Sequence, residues 1–149
     1  MKDIIAENHV VRKSVRLKAT PAQVWDALTN PEKTKEYFFN CEVISDWKVG
    51  SLITFKGRVM LVKKIELHGE IVSIEPEKLL KYTLKNSSDE ENAGTFSTVT
   101  DRLEAVDGET LLSISDDVGA GAGAEKRYEK SMQGWDNVLE GLKKLVEAK

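Results

Sequence analysis

The chain has 149 residues, of which 40% are hydrophobic and 32% charged, with a formal net charge of −3 and a pI near 5.5. Those values suit a single globular domain over residues 1–149, leave no basic footprint for nucleic acid or an anionic membrane, and predict no nucleic-acid partner. One cysteine, Cys41, excludes an internal disulfide and a multi-cysteine zinc site, and the lack of any long apolar run predicts no membrane span and a cytoplasmic protein.

Residues 10–18 alternate, with Val11, Val15 and Leu17 against Arg12, Arg16 and Lys18, which predicts a half-buried first strand. Thr20-Pro21-Ala22-Gln23 then spells a capping box with proline at the first helical position. The helix it opens is short, because Asn30-Pro31 repeats the cap-and-proline signal and opens a second. Val24, Trp25 and Leu28 give the first helix an apolar face. Tyr37, Phe38 and Phe39 end the second and are expected as core aromatics under a loop.

Two short strands are expected at 42–46 and 52–56, joined across Trp47-Lys48-Val49-Gly50. A long strand is expected over about 59–75, broken or bulged at Gly69, where the apolar phase changes. Leu80, Tyr82 and Leu84 alternate against Lys81, Thr83 and Lys85 and predict another half-buried strand. Residues 86–94 are polar and acidic, the stretch expected to move most.

Asp107-Gly108 is a strong two-residue hairpin signal. With that turn, partners across the hairpin sum to 215. Val99, Asp101, Leu103 and Ala105 then share a face with Thr110, Leu112, Ile114 and Asp116, while Thr98, Thr100, Arg102, Glu104, Ser113 and Ser115 take the other. Asp101 and Asp116 come out as diagonal neighbours on the apolar face, roughly 7–8 Å apart.

The last stretch, about 123–147, is periodic at steps of three and four: Tyr128, Met132, Trp135, Val138, Leu139, Leu142, Leu145 and Val146. They fall within an arc of roughly 140°, as on a helix with one buried face. That helix would be roughly 35 Å long and would organise the sheet around it. Its second half is aliphatic and suits a core. Its first half offers Tyr128, Ser131 and Met132, a mixed surface suited to a cavity wall.

Few residues carry chemistry. Val118-Gly119-Ala120-Gly121-Ala122-Gly123 sits between strand and helix like a dinucleotide fingerprint, but the further strand and acidic residue of a Rossmann unit are missing, so no cofactor is expected. Glu66, His68 and Glu70 alternate on one strand face and are read as an exposed charged row, with no metal expected. No serine or cysteine triad has support. Asp101 with Asp116 is the one paired-carboxylate candidate for acid–base catalysis. The alternative is that both lie at a wet, open end of the cavity, or that Asp116 and Asp117 merely end a strand.

The order of strand, two short helices, about six antiparallel strands and one long helix resembles the helix-grip α+β fold of the START and birch-pollen-allergen superfamily, also called SRPBCC. Ala22-Gln23-Val24-Trp25-Asp26-Ala27-Leu28-Thr29-Asn30-Pro31-Glu32, Asp46-Trp47-Lys48-Val49-Gly50-Ser51, and Gly69-Glu70-Ile71 narrow the resemblance to one subgroup. Residues 75–83, EPEKLLKYT, and residues 134–145, GWDNVLEGLKKL, do the same. That subgroup is similar to the C-terminal domain of the activator of the heat-shock-protein-90 ATPase, over roughly residues 10–147.

The resemblance implies a hydrophobic tunnel between a curved sheet and the first half of the last helix. Phe38, Trp47, Phe55, Tyr82, Tyr128 and Met132 are expected on its wall, with Asp101, Asp116, Ser131 and Tyr128 as its polar groups. Related sequences carry an aromatic residue where Asp101 stands, which points to a ligand with a polar or cationic end. The expected function is therefore binding of a small hydrophobic or amphipathic molecule, with no enzymatic activity required. The alternatives are a chaperone-interaction domain with a protein partner, and a cyclase- or hydrolase-type enzyme using Asp101 and Asp116 as acid and base.

Overall fold

The computed structural model describes residues 9–59, 63–86, 97–119 and 123–148. Strands β6 (Ser97–Val106) and β7 (Glu109–Asp117) form the hairpin that the sequence spells most plainly. Asp107 and Gly108 both have positive φ, 51° and 82°, as a two-residue turn matched to the twist of its strands requires. Pairing runs from Val106↔Glu109 to Thr98↔Asp117, the register expected from the sequence.

The remaining strands are β1 (Val10–Leu17), β2 (Cys41–Ser45), β3 (Leu52–Val59), β4 (Lys63–Glu75) and β5 (Leu79–Asn86). All seven form one antiparallel sheet in the order β1-β7-β6-β5-β4-β3-β2. Helices α1 (Pro21–Thr29) and α2 (Pro31–Tyr37) lie between β1 and β2 in the chain, and α3 (Ala124–Glu147) closes it. This is a helix-grip α+β fold. Among the described residues no helix is long and apolar enough to cross a membrane.

Local chemistry fixes the ends. Thr20 accepts from the Gln23 N–H while the Gln23 side chain accepts from the Thr20 N–H, completing the expected capping box. Asn30 caps α2 by accepting from the Glu32 N–H. Two buried hydroxyls then tie helices to sheet. Thr34 accepts from the Val43 N–H and joins α2 to β2, and Thr110 donates to the Ala19 carbonyl and joins β7 to the chain after β1.

Three expectations change. The third strand runs to Val59, three residues past its expected end, and the fourth begins only at Lys63, so what was read as one strand from 59 is divided between two antiparallel strands. Met60-Leu61-Val62 carry no turn residue to signal it. The irregularity in β4 falls between Ile71 and Ser73, not at Gly69. Gly69 answers a different need: a Cβ there would overlap the carbonyl oxygen of Thr83. Phe39 does not join the core but stands 45% exposed at φ 50°, while Phe38 beside it is buried. The polar stretch expected to be mobile lies from residue 87 on outside the described residues.

The core fills the space between the inner sheet face and α3. Val11, Leu17, Val43, Ile53, Phe55, Ile71, Leu80, Tyr82, Val99, Leu103, Leu112 and Ile114 meet Trp135, Val138, Leu139 and Leu142. The second half of α3 is anchored closely. Gly141 lies against Tyr37 so tightly that a Cβ would stand 2.9 Å from that residue's own Cβ. In the first half Tyr128, Ser131 and Met132 are only partly buried.

Candidate functional site

Register places the candidate carboxylates. Inner-face residues form cross-strand rows, Tyr82–Val99–Asp116–Val11 and Leu80–Asp101–Ile114–Lys13. Asp101 and Asp116 are therefore diagonal neighbours on adjacent strands, as the hairpin arithmetic requires. Neither lies at a wet end: Asp101 is 3% and Asp116 6% exposed. Asp116 and Asp117 do also end β7.

Their surroundings differ. Oδ2 of Asp116 accepts from Ser131 Oγ at 2.6 Å and from Trp135 Nε1 at 2.9 Å, so two residues of α3, one turn apart, clasp one oxygen. Its Oδ1 is buried without a hydrogen-bond partner among the described residues, and so is Oδ1 of Asp101. A buried unpaired carboxylate oxygen is costly. Burial, and then the charge of Asp116, push the Asp101 carboxyl up to about 7. Burial and the same aspartates hold the Tyr82 phenol well above its usual range. Burial first and Asp101 second do the same for Tyr37, whose hydroxyl donates to the Ala27 carbonyl.

Asp101 opens onto a cavity between sheet and α3, with Tyr37, Phe38, Phe55, Tyr82 and Trp135 among its walls. The cavity measures about 20 Å³, room for about one water molecule. Side chains otherwise fill the grip. The Phe38 and Phe55 rings stack at 4.6 Å, Tyr82 lies 5.9 Å from Phe55, and Trp135 meets Phe38 edge-on at 5.9 Å.

Of the residues expected around a tunnel, Phe38, Phe55, Tyr82 and Asp101 line this cavity. Ser131 reaches the group through Asp116. Trp47, at φ 58°, is half-buried at the core's margin with its N–H on Ser45 Oγ. Tyr128 is half-buried, its ring edge-on to His9 at 5.7 Å, and Met132 packs on the core from outside. The structure thus does not bring Trp47, Asp116, Tyr128, Ser131 and Met132 onto the cavity wall. It adds Tyr37 and Trp135, which sequence reasoning assigned to the core. Ser131 and Trp135 are four residues apart on one helix face, and that spacing was the available signal for a shared acceptor.

Glu66, His68 and Glu70 are exposed on the outer face, as expected, with His68 Nε2 3.6 Å from Glu66 and its Nδ1 3.5 Å from Thr54 Oγ1. No cluster of metal-ligand side chains occurs among the described residues. Cys41 is buried in the core, and burial pushes its thiol up to about 11.

The molecule resembles several solved structures. One is the solution structure of ChR145 from Cytophaga hutchinsonii, at 31% identity and TM-score 0.73, covering 93% of each chain. Another is the Aha1 dimer from Colwellia psychrerythraea, at 19% identity and TM-score 0.70, covering 93% of this chain and 96% of that one. A third is Ara h 8.0201, at 14% identity and TM-score 0.75, covering 96% and 100%; at such identity the likeness shows the fold alone. No curated protein matches the sequence significantly. The profile of the family described as "Activator of Hsp90 ATPase homolog 1-like protein" matches residues 18–147. The chain therefore belongs to the family of activator of Hsp90 ATPase homolog 1-like proteins, an Aha1-like subgroup of the SRPBCC superfamily.

Proposed function

We propose that the chain binds a small, largely apolar molecule between sheet and α3, with the polar or cationic end of that molecule at Asp101 and Asp116. The observation that carries this reading is the buried Oδ1 of Asp101, without a partner among the described residues, on the wall of an aromatic-lined cavity, with the equally unpartnered Oδ1 of its diagonal neighbour Asp116 behind that wall. A ligand donor would satisfy those oxygens, and aromatic faces suit an apolar or cationic body. Room for it has to come from movement, since the cavity holds about one water. The cavity's α3 wall is Trp135, Val138 and Leu142, so a ligand enters by displacing the Phe38, Phe55 and Trp135 rings that now meet across it.

Native mass spectrometry of gently purified protein, beside a thermal-shift screen of lipids, flavonoids and amphiphilic amines, tests the proposal. A co-purifying mass, or stabilisation by one class that is lost in Asp101→Asn, supports it. A bare protein indifferent to every class argues against it.

A second reading rests on the raised Asp101 carboxyl, which near pH 7 can both give and take a proton. It makes the pair acid and base of a cyclase- or hydrolase-type reaction, and requires turnover that Asp101→Asn abolishes while binding persists. The family itself favours a third, a chaperone-interaction domain. Its natural surface is the outer face of β2 to β4, where Ile44, Leu52 and Val72 are exposed. Charged substitutions there, and not in the cavity, would then abolish partner binding.

A further inference from the structure

The outer face of β1, β7 and β6, on the side of the sheet away from α3, carries a groove of about 410 Å³. Register builds it from two adjacent cross-strand rows, Arg12–Ser115–Thr100 and Ser14–Ser113–Arg102. Two arginines thus stand at opposite corners of a floor made of four hydroxyls. Two inter-strand steps and two residues separate their Cα atoms, roughly 12 Å, so both guanidinium groups can close on one anion above Ser113 and Ser115.

Neither arginine has an acidic partner among the described residues, although cations nearby do. Arg16 holds Glu109 and Asp107, and Lys13 holds Asp136. Lys81, paired with Thr100, extends the first row with a further positive charge. The neighbouring acids lie off this floor: Asp117 and Glu104 one row away at either end, and Glu75 two strands beyond Arg102 in its row. Asp117 is engaged by the Gly119 N–H, and Glu104 is opposite Leu111. The overall charge of −3 conceals this local excess of cations.

We propose that this groove binds a phosphomonoester of metabolite size. A planar carboxylate is satisfied by one guanidinium fork, whereas two forks on opposite sides and hydroxyl donors beneath suit an anion with three oxygens pointing in different directions. The groove's volume is in the range of small-molecule sites and leaves space for the esterified group. The site is separate from the cavity, which opens on the other face of the same strands.

The test is a titration of the full chain with glycerol 3-phosphate, followed by amide chemical shifts. Succinate, which carries a similar charge on carboxylates, is titrated in parallel. Saturable shifts confined to residues 12–14, 100–102 and 113–115 are expected, with succinate at least about tenfold weaker. Arg12→Gln and Arg102→Gln should each weaken glycerol 3-phosphate by about 10- to 100-fold, the worth of a charge-assisted hydrogen bond. Both side chains are exposed, so the variants keep the parent spectrum elsewhere. Non-saturating shifts spread over the surface, equal affinity for succinate, or affinity unchanged in both variants would each overturn the proposal.

Discussion

The indole Nε1 of Trp135 donates to Oδ2 of Asp116 at 2.9 Å, and this bond fastens the middle of α3 to the end of β7. Both groups are buried, so neither can exchange its partner for bulk water. Trp135→Phe keeps most of the ring packing and removes only the donor. It should lower unfolding free energy by roughly 1–3 kcal/mol, measured by urea denaturation. A change below about 0.5 kcal/mol, the ordinary scatter of neutral substitutions, would mean the bond holds nothing.

The Asp101 carboxyl gives the pH dependence. Its folded value, about 7, lies above the ordinary 3.8, so between those values the folded state binds the proton that the unfolded state releases. Stability from this group is then greatest at low pH and falls as pH rises towards about 7, with a limiting slope of about 1.4 kcal/mol per pH unit. Asp101→Asn removes that slope. The variant should melt above the parent at pH 8 and lose the advantage near pH 4, in thermal scans across that range. Parallel curves for the two proteins would contradict the assignment.

Gly69 and Gly57 are required by close backbone approach, the first to Thr83 and the second to Asn40. Alanine at Gly69 forces β4 from β5, and alanine at Gly57 forces β3 from the start of β2. A loss of about 1–3 kcal/mol is expected for each in chemical denaturation. Gly108→Ala offers a contrast, because no atom lies near its missing Cβ and only the positive φ opposes the change.

Cys41 should resist thiol reagents at neutral pH, since it is buried and its thiol is held protonated up to about 11. Labelling kinetics with a disulfide reagent should show one slow phase that becomes immediate in denaturant. Rapid labelling of the native protein would show that the α2–β2 junction opens readily.

The legible parts of this fold were those whose signal is local. Thr20, Gln23, Asn30 and the prolines announced both short helices, and Asp107-Gly108 fixed the register that brings Asp101 beside Asp116. The division into β3 and β4 was not legible, because Met60-Leu61-Val62 is an apolar run with none of the residues that mark turns. The phase change near Gly69 was visible, but two causes overlap there: a glycine needed for close approach and an irregularity two residues on. Cavity walls were the hardest to read. Tyr37 and Trp135 look like any core aromatics in sequence, and only tertiary packing decides that Phe38 turns inward while Phe39 faces out.

Asp101, with Asp116 behind it, is proposed to receive the polar end of an apolar ligand. Isothermal titration with three matched probes tests it most directly: 4-phenylbutylamine, 4-phenylbutanol and 4-phenylbutyrate, against the parent chain and Asp101→Asn. The amine should bind best, the alcohol more weakly and the carboxylate least, and Asp101→Asn should remove the advantage of the amine. No binding by any probe, or a carboxylate that binds as well as the amine, would contradict it.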